Sequence, residues 1–191
     1  MKDQEVRHLM NTKEGDGDKL GIFHRAFDAL YPFIRFTYER ILKQTWFSEI
    51  SAYLWVGGAP SYARDYDFIL EHGITSVVNV RAERDDDVDF YNRHGINYMR
   101  YRVPDIYIPE PEIITNAVDW VAGEVADGRT VLIHCAKGRG RSAALTAGYL
   151  MREQGMSYEA AEQLLDTKRP LTKLEDRHRR ALEAWIKTQE R

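Results

Sequence analysis

From Ser51 onward, apolar residues recur in two alternating rhythms. Short runs rich in β-branched and aromatic residues, "AYLWVG" (52–57), "ITSVVNV" (74–80), "NYMRYRV" (97–103) and "TVLIHC" (130–135), have the make-up of strands. Between and after them, apolar positions three or four apart predict helices at about 61–72, 87–94, 111–127, 140–154, 157–167 and 173–188. Strand and helix in alternation predict an α/β domain: a central, mostly parallel or mixed sheet of four to five strands with helices on both faces. The unbroken apolar run Val131–Ile133 has the character of a strand buried at the centre of that sheet.

Upstream the rhythm differs. Phe23, Phe27, Leu30, Ile34, Tyr38 and Ile41 recur at helical spacing, and Pro32 interrupts them, which predicts a kinked helix or two short ones within 21–47. Arg25, Arg35, Arg40 and Lys43 fall between the apolar positions. Two readings stand: a helix packed on the domain that follows, or a helix lying on an anionic membrane surface through residues 22–47. Residues 1–20 are polar and are expected to form a mobile tail. Their Asp16 and Asp18 do not make a calcium loop, because the twelfth position counted from Asp16 is Phe27 and not Glu. The predicted organisation is therefore a tail (1–20), a helical extension (21–47) and one catalytic domain (48–191).

Composition narrows the function. The 191 residues carry a net charge of −3, which gives no overall pull toward nucleic acid. There is no run of 18 apolar residues, and the first twenty lack the apolar core of a secretory signal. A single cysteine excludes an internal disulfide and a cysteine-rich zinc site. A cytoplasmic protein, in peripheral contact with membrane if the helical extension lies there, is the expectation; the oligomeric state is left open.

That cysteine lies in "VLIHCAKGRGRSAAL" (131–145), where an apolar strand runs into a small, cationic loop and then an alanine-rich helix. Helix N-termini present unpaired N–H groups and partial positive charge, which favour anions. Gly138 and Gly140 let the loop curl, so that the amides of Ala136, Lys137, Gly138, Arg139, Gly140 and Arg141 can converge on one phosphate. No Ser or Thr follows the lysine, so this is not a nucleotide-binding P-loop. The same field favours the thiolate of Cys135; such settings bring a thiol from about 8.5 to roughly 3.5–7.5. Arg141 has the planar fork that binds two phosphoryl oxygens, and Ser142 can donate a hydrogen bond to the sulfur. The pattern predicts a nucleophilic cysteine acting on phosphate esters without metal or cofactor.

"HCAKGRGRS" resembles the active-site signature of the cysteine-dependent protein tyrosine phosphatase superfamily, in its dual-specificity branch. The resemblance runs over about 45–190. "WFSEISAYLWVGGAPS" is similar to the domain entry, and "KRPLTKLEDRHRRALEAW" to the closing helix, of the mitochondrial phosphatidylglycerophosphate phosphatase subgroup. It implies a phosphomonoester hydrolase working through a cysteinyl-phosphate, on a lipid phosphate or a phosphoprotein. It also implies an acid on a loop about thirty residues before the cysteine, which "YRVPDIYIPEPE" supplies as Asp105, and it gives His134 the role of orienting the loop. Lys137 and Arg139 match positions that hold an acidic head group in lipid phosphatases, and they also bear on the charge of Cys135. Arg169 is expected to add to a positive rim, whereas Arg177, Arg179 and Arg180 read mostly as a solvated face. The acidic run "RAERDDD" (81–87) reads as a solvated loop that shapes specificity, with Asp85, Asp86 and Asp87 as its acids. The rivals are a sulfurtransferase or arsenate reductase, which want other loop lengths or further cysteines, and a phosphate-binding module without catalysis.

Overall fold

In the computed structural model, the structure describes Phe33 and residues 35–189. The chain divides between Gln44 and Thr45 into two units. The described part of the first is helical and ends in a single π-helical turn, Thr37–Ile41, with Arg35 paired to Glu39 at 3.0 Å. The expected tail and residues 21–32 and 34 of the expected helical extension lie outside the described residues. The extension does not reach 47 as a helix, because Phe47 already begins a strand.

The second unit holds five strands, β1 (Phe47–Ser51), β2 (Leu54–Gly57), β3 (Ile74–Arg81), β4 (Asn97–Val103) and β5 (Thr130–His134), in the order β1-β2-β5-β3-β4. Only the β1–β2 pair is antiparallel. The pairs β2–β5, β5–β3 and β3–β4 are all parallel. Six helices follow the predicted spans: α1 (Ala63–Glu71), α2 (Val88–Arg93), α3 (Pro111–Ala126), α4 (Arg141–Glu153), α5 (Tyr158–Lys168) and α6 (Asp176–Gln189).

The two-residue period of the strands assigns the faces. Leu54, Val56, Val78, Val80, Val131 and Ile133 pack into the larger core with residues of α3, α4, α5 and α6. The alternate positions face α1 and α2; there Trp55 meets Phe68 edge-on and Asn79 bonds Tyr98. Val131, Leu132 and Ile133 are buried on both sides, as expected of the central strand. Helix α4 is buried on every side from Arg141 to Met151, which explains its small residues. Gly148, for example, lets Ile114, Leu182 and Trp185 approach the helix backbone. Each large apolar side chain buried in such a core contributes about 1.5–3 kcal/mol.

The entry segment is locked by an aromatic. The Trp46 indole N–H donates to the Ala59 carbonyl at 3.0 Å, and its ring fills the space where a Gly58 side chain would stand, 2.1 Å from that position. The parallel strands β3, β4 and β5 end side by side, with Asn79 opposite His134 and Arg81 opposite Val103. Loops leaving those carboxyl ends share one crevice, the usual place for a ligand in such sheets.

Candidate active site

Three loops meet there. The segment Cys135–Gly140 leaves β5 and enters α4, the segment 82–87 leaves β3, and the segment 104–110 leaves β4. Their cleft, about 210 Å³, has Cys135 and the 136–141 loop at its base and Asp105, Ile106 and Tyr107 on one wall.

Cys135 is 3% exposed. Burial pushes its thiol up, but the Arg141 guanidinium, the Ser142 hydroxyl and the backbone amides of Ser142 and Arg139 together outweigh it, and the net direction is down. The Ser142 hydroxyl stands 3.4 Å from Sγ and donates to it. Because α4 begins at Arg141, the sulfur also faces the positive end of a helix. Of the loop's two glycines, Gly140 lies at φ −116, open to any residue, and Gly138 is the one that needs a glycine's freedom. Gly138 sits at φ +68, where a side chain would collide with the Gly57 backbone at 2.4 Å and with Arg169 at 2.6 Å. No other residue fits.

Arg141 is held at both ends of its fork. Its Nη1 donates to Glu83 Oε2 at 2.8 Å and to the Val103 carbonyl at 2.9 Å. Its Nη2 donates to Glu83 Oε1 at 2.8 Å and lies 3.0 Å from Asp105 Oδ1. Burial raises the Glu83 carboxyl, yet the guanidinium brings it below the ordinary carboxylate range. Among the described residues the Arg141 Nε–H has no partner. Asp105 is 42% exposed and occupies the Nη2 position that an incoming oxyanion would take. The next residue, Ile106, adopts φ +65, an uncommon conformation for a β-branched residue, and its carbonyl accepts from Arg177 Nη1 at 2.8 Å.

The acidic run at 81–87 is a solvated loop only in part: Arg84, Asp85 and Asp87 are exposed, whereas Glu83 and Asp86 turn their side chains onto the site. The Asp86 side chain is fully buried and accepts from Arg81 Nη2 at 2.6 Å, His134 Nε2 at 2.7 Å, Tyr91 Oη at 3.1 Å and Asn79 Nδ2 at 3.3 Å. Burial works against the ionised form, but His134, Arg81 and Tyr91 hold this carboxyl below its usual range. Asp85 accepts from Tyr98 and pairs with Arg100, and Asp87 caps α2 by accepting from the Phe90 amide. The expectation holds for the exposed Asp85 and Asp87 and fails at Glu83 and Asp86, whose partners Arg141 and His134 come from other elements of the site.

Arg169 is likewise not on the rim. It is fully buried, with Nε donating to the Gly138 carbonyl at 2.8 Å, Nη2 to the Lys137 carbonyl at 2.9 Å and Nη1 to the Trp46 carbonyl at 3.0 Å. It braces the cradle from behind and turns two of its carbonyls away from the cleft. Arg177 belongs to the cleft wall, whereas Arg179 is on an exposed face with Glu159 and Glu183. Lys137 and Arg139 line the cleft. His134 lies beneath the cradle, its Nδ1 3.4 Å from the Cys135 carbonyl oxygen.

The structure thus brings together Cys135, Arg141, Ser142 and Asp105. Sequence reasoning missed Glu83, His178 and the bracing role of Arg169. Glu83 alternates with Arg81 along the strand end, but nothing local distinguishes it from the acids beside it.

This arrangement, a thiol in an amide cradle at the carboxyl edge of a mixed sheet, defines a class of cysteine-loop α/β enzymes. Residues 54–188 match the family described as "Dual specificity phosphatase, catalytic domain", and the chain belongs to that family. It is 30% identical to human dual specificity protein phosphatase 12 over 132 residues, 67% of this chain and 38% of that protein. It is 25% identical to the phosphatidylglycerophosphate phosphatase PTPMT2 of Arabidopsis thaliana over 163 residues, covering 84% of this chain and 70% of that one. In fold it matches PTPMT1 in complex with PI(5)P, with a TM-score of 0.70 at 20% identity, over 75% of this chain and 96% of that one. No helix among the described residues is long and apolar enough to cross a membrane.

Proposed function

We propose that the protein is a metal-independent phosphomonoesterase that works through a cysteinyl-phosphate. The observation that carries this reading is the shared cleft of Cys135, Arg141 and Asp105, with the thiol driven toward thiolate and the fork of Arg141 fixed by Glu83. Substrate phosphate enters the 136–141 amides, and its oxygens take the Nε–H and Nη2–H edge of Arg141 as Asp105 moves aside. The Cys135 thiolate attacks phosphorus in line. The S–P bond forms, the ester P–O bond breaks, and protonated Asp105 gives its proton to the leaving oxygen. Ionised Asp105 then takes a proton from water, whose oxygen attacks phosphorus. The S–P bond breaks, inorganic phosphate leaves, and Ser142 stabilises the departing thiolate. Fixed donors and positioning supply most of the rate in such chemistry.

For substrate, the reading is a lipid phosphate of the phosphatidylglycerophosphate kind. Lys137, Arg139, Lys173 and Arg177 line the cleft, and relatives of that name match the chain. The N-terminal segment fits a peripheral role at an anionic membrane, since Phe33, Phe36, Ile41 and Leu42 are exposed beside Arg40 and Lys43. Phosphatidylglycerophosphate, phosphoinositides, a phosphotyrosine peptide and p-nitrophenyl phosphate, assayed side by side with wild type, Cys135→Ser and Asp105→Asn, test the proposal. Expected are turnover highest on the lipid, none with Cys135→Ser, and a strong loss with Asp105→Asn that leaves phosphate binding intact. Turnover by Cys135→Ser would end the mechanism; preference for the peptide would move the substrate to phosphoproteins.

A further inference from the structure

His178, at the start of α6, is 3% exposed yet lines the cleft. Its Nδ1 accepts the Glu175 N–H at 3.0 Å, so the proton of the neutral ring is on Nε2. Nε2 has no protein partner among the described residues. It stands 3.9 Å from where a side chain on Gly140 would begin, at the lip of the phosphate cradle. The ring is held by one nitrogen while its other nitrogen presents an unpaired donor to the open cleft, where a ligand oxygen can take it. Burial, together with Arg177, pushes the ring below the usual imidazole range, which keeps it neutral, with that single donor, at neutral pH.

Its surroundings define the oxygen. The strip from 172 to 178 is fastened to the cradle, since the Lys173 N–H donates to the Arg139 carbonyl at 2.9 Å, so the spacing between strip and cradle is fixed. Lys173 and Arg177 share this wall with one acid, Glu175, which pairs with Arg177 at 2.8 Å and meets Lys173 only at 3.8 Å. The wall therefore keeps a net positive charge around a neutral donor.

We infer that His178, with Lys173 and Arg177, forms a second oxyanion subsite beside the cradle and selects esters carrying another anionic group a few atoms from the scissile phosphate. This rests on the phosphatase reading and adds to it the residue that reads the leaving group. His178 acts as a specificity-determining residue, apart from the loop cations Lys137 and Arg139.

A matched ligand pair tests it without turnover. Propyl phosphate and propane-1,3-diyl bisphosphate are titrated by calorimetry into the full chain carrying Cys135→Ser, with and without His178→Phe or His178→Gln. The bisphosphate is expected to bind about tenfold more tightly than the monophosphate, one hydrogen bond to a charged group being worth at least that factor. His178→Phe is expected to abolish the preference and His178→Gln, which keeps an N–H donor, to retain most of it. Equal affinities in the parent, or a preference that survives His178→Phe, overturns the subsite. Because the readout is binding, these outcomes are separate from a failure of the parent enzyme to hydrolyse any ester, which would sink the proposed function instead.

Discussion

Replacing Asp86 by Asn is the most demanding test of how the site is supported. The carboxylate accepts from four donors, Arg81, His134, Tyr91 and Asn79, and is fully buried. Asparagine keeps the shape but exchanges one oxygen for an NH2 group. Whichever way it flips, that group confronts two of the four donors; Arg81 loses its counter-charge and His134 its carboxylate acceptor. Breaking a buried pair of this kind costs about 3–5 kcal/mol. For a domain of this size 1 kcal/mol shifts Tm by roughly 2–4 °C, so the expected drop is about 10 °C at neutral pH. The dependence on pH follows from the sign of the shift. The Asp86 carboxyl is held below its ordinary value, so its contribution is full above the unfolded value of about 3.9 and is lost as pH falls through the lower folded value. The gap in Tm between wild type and Asp86→Asn should therefore be wide at pH 7 and close in acid. Glu83, shifted the same way, is present in both proteins and cancels in the difference. Thermal unfolding followed by circular dichroism at a series of pH values gives the result. A gap under 3 °C at pH 7, or one that does not narrow in acid, would refute the account of Asp86 as the buried anchor of His134.

Two further substitutions probe the machinery itself. Ser142→Ala removes a donor 3.4 Å from the sulfur, and the midpoint of iodoacetamide alkylation against pH should rise by about one unit, since a hydrogen bond to a charged group is worth about 1.5–3 kcal/mol; an unmoved midpoint would remove Ser142 from the thiolate's support. Arg177→Ala frees the Ile106 carbonyl, a contact at the surface worth about 0.5–1.5 kcal/mol, so kcat on p-nitrophenyl phosphate should fall about three- to tenfold as Asp105 loses its fixed position, and full activity would show that the loop closes without this latch.

Much of this molecule could be read from its sequence because the informative residues are local. The helix spans fell within about three residues of the observed ones, since each carries its own 3.6-residue rhythm. The cradle was legible because strand, glycine loop and helix start are contiguous in the chain. The first strand was missed: "FSEIS" offers two apolar residues in five, its Phe47 reads with the helical extension before it, and its pairing with β2 is visible only once the chain has turned. Arg169 was misplaced for a related reason. A basic residue after a helix looks solvent-bound until β1 and the cysteine loop close over it, 121 or more residues away from Ser48 and Trp46 in sequence.

The acidic run at 81–87 shows what spacing alone does not carry. Along the sequence its charges form one block, yet the fold distributes them one by one. Glu83 goes to the fork of Arg141, Asp85 to Arg100, Asp86 to Arg81 and His134, and Asp87 to the end of α2. The sheet order explains this. With β3 lying between β5 and β4, the loop leaving β3 reaches the cysteine strand on one side and the strand bearing Asp105 on the other. A cradle that must hold phosphate has to be rich in positive charge, and an unpaired Arg141 at 3% exposure would be costly to bury. The loop from the neighbouring strand supplies the compensating charge from the side away from the substrate, leaving the Nε–H edge open. Glu83 is bound to Arg141 and Asp86 to His134, while Arg84, Asp85 and Asp87 of the same run stay at the surface, so the reading of solvated surface holds for part of the run and fails where a donor from the site reaches it.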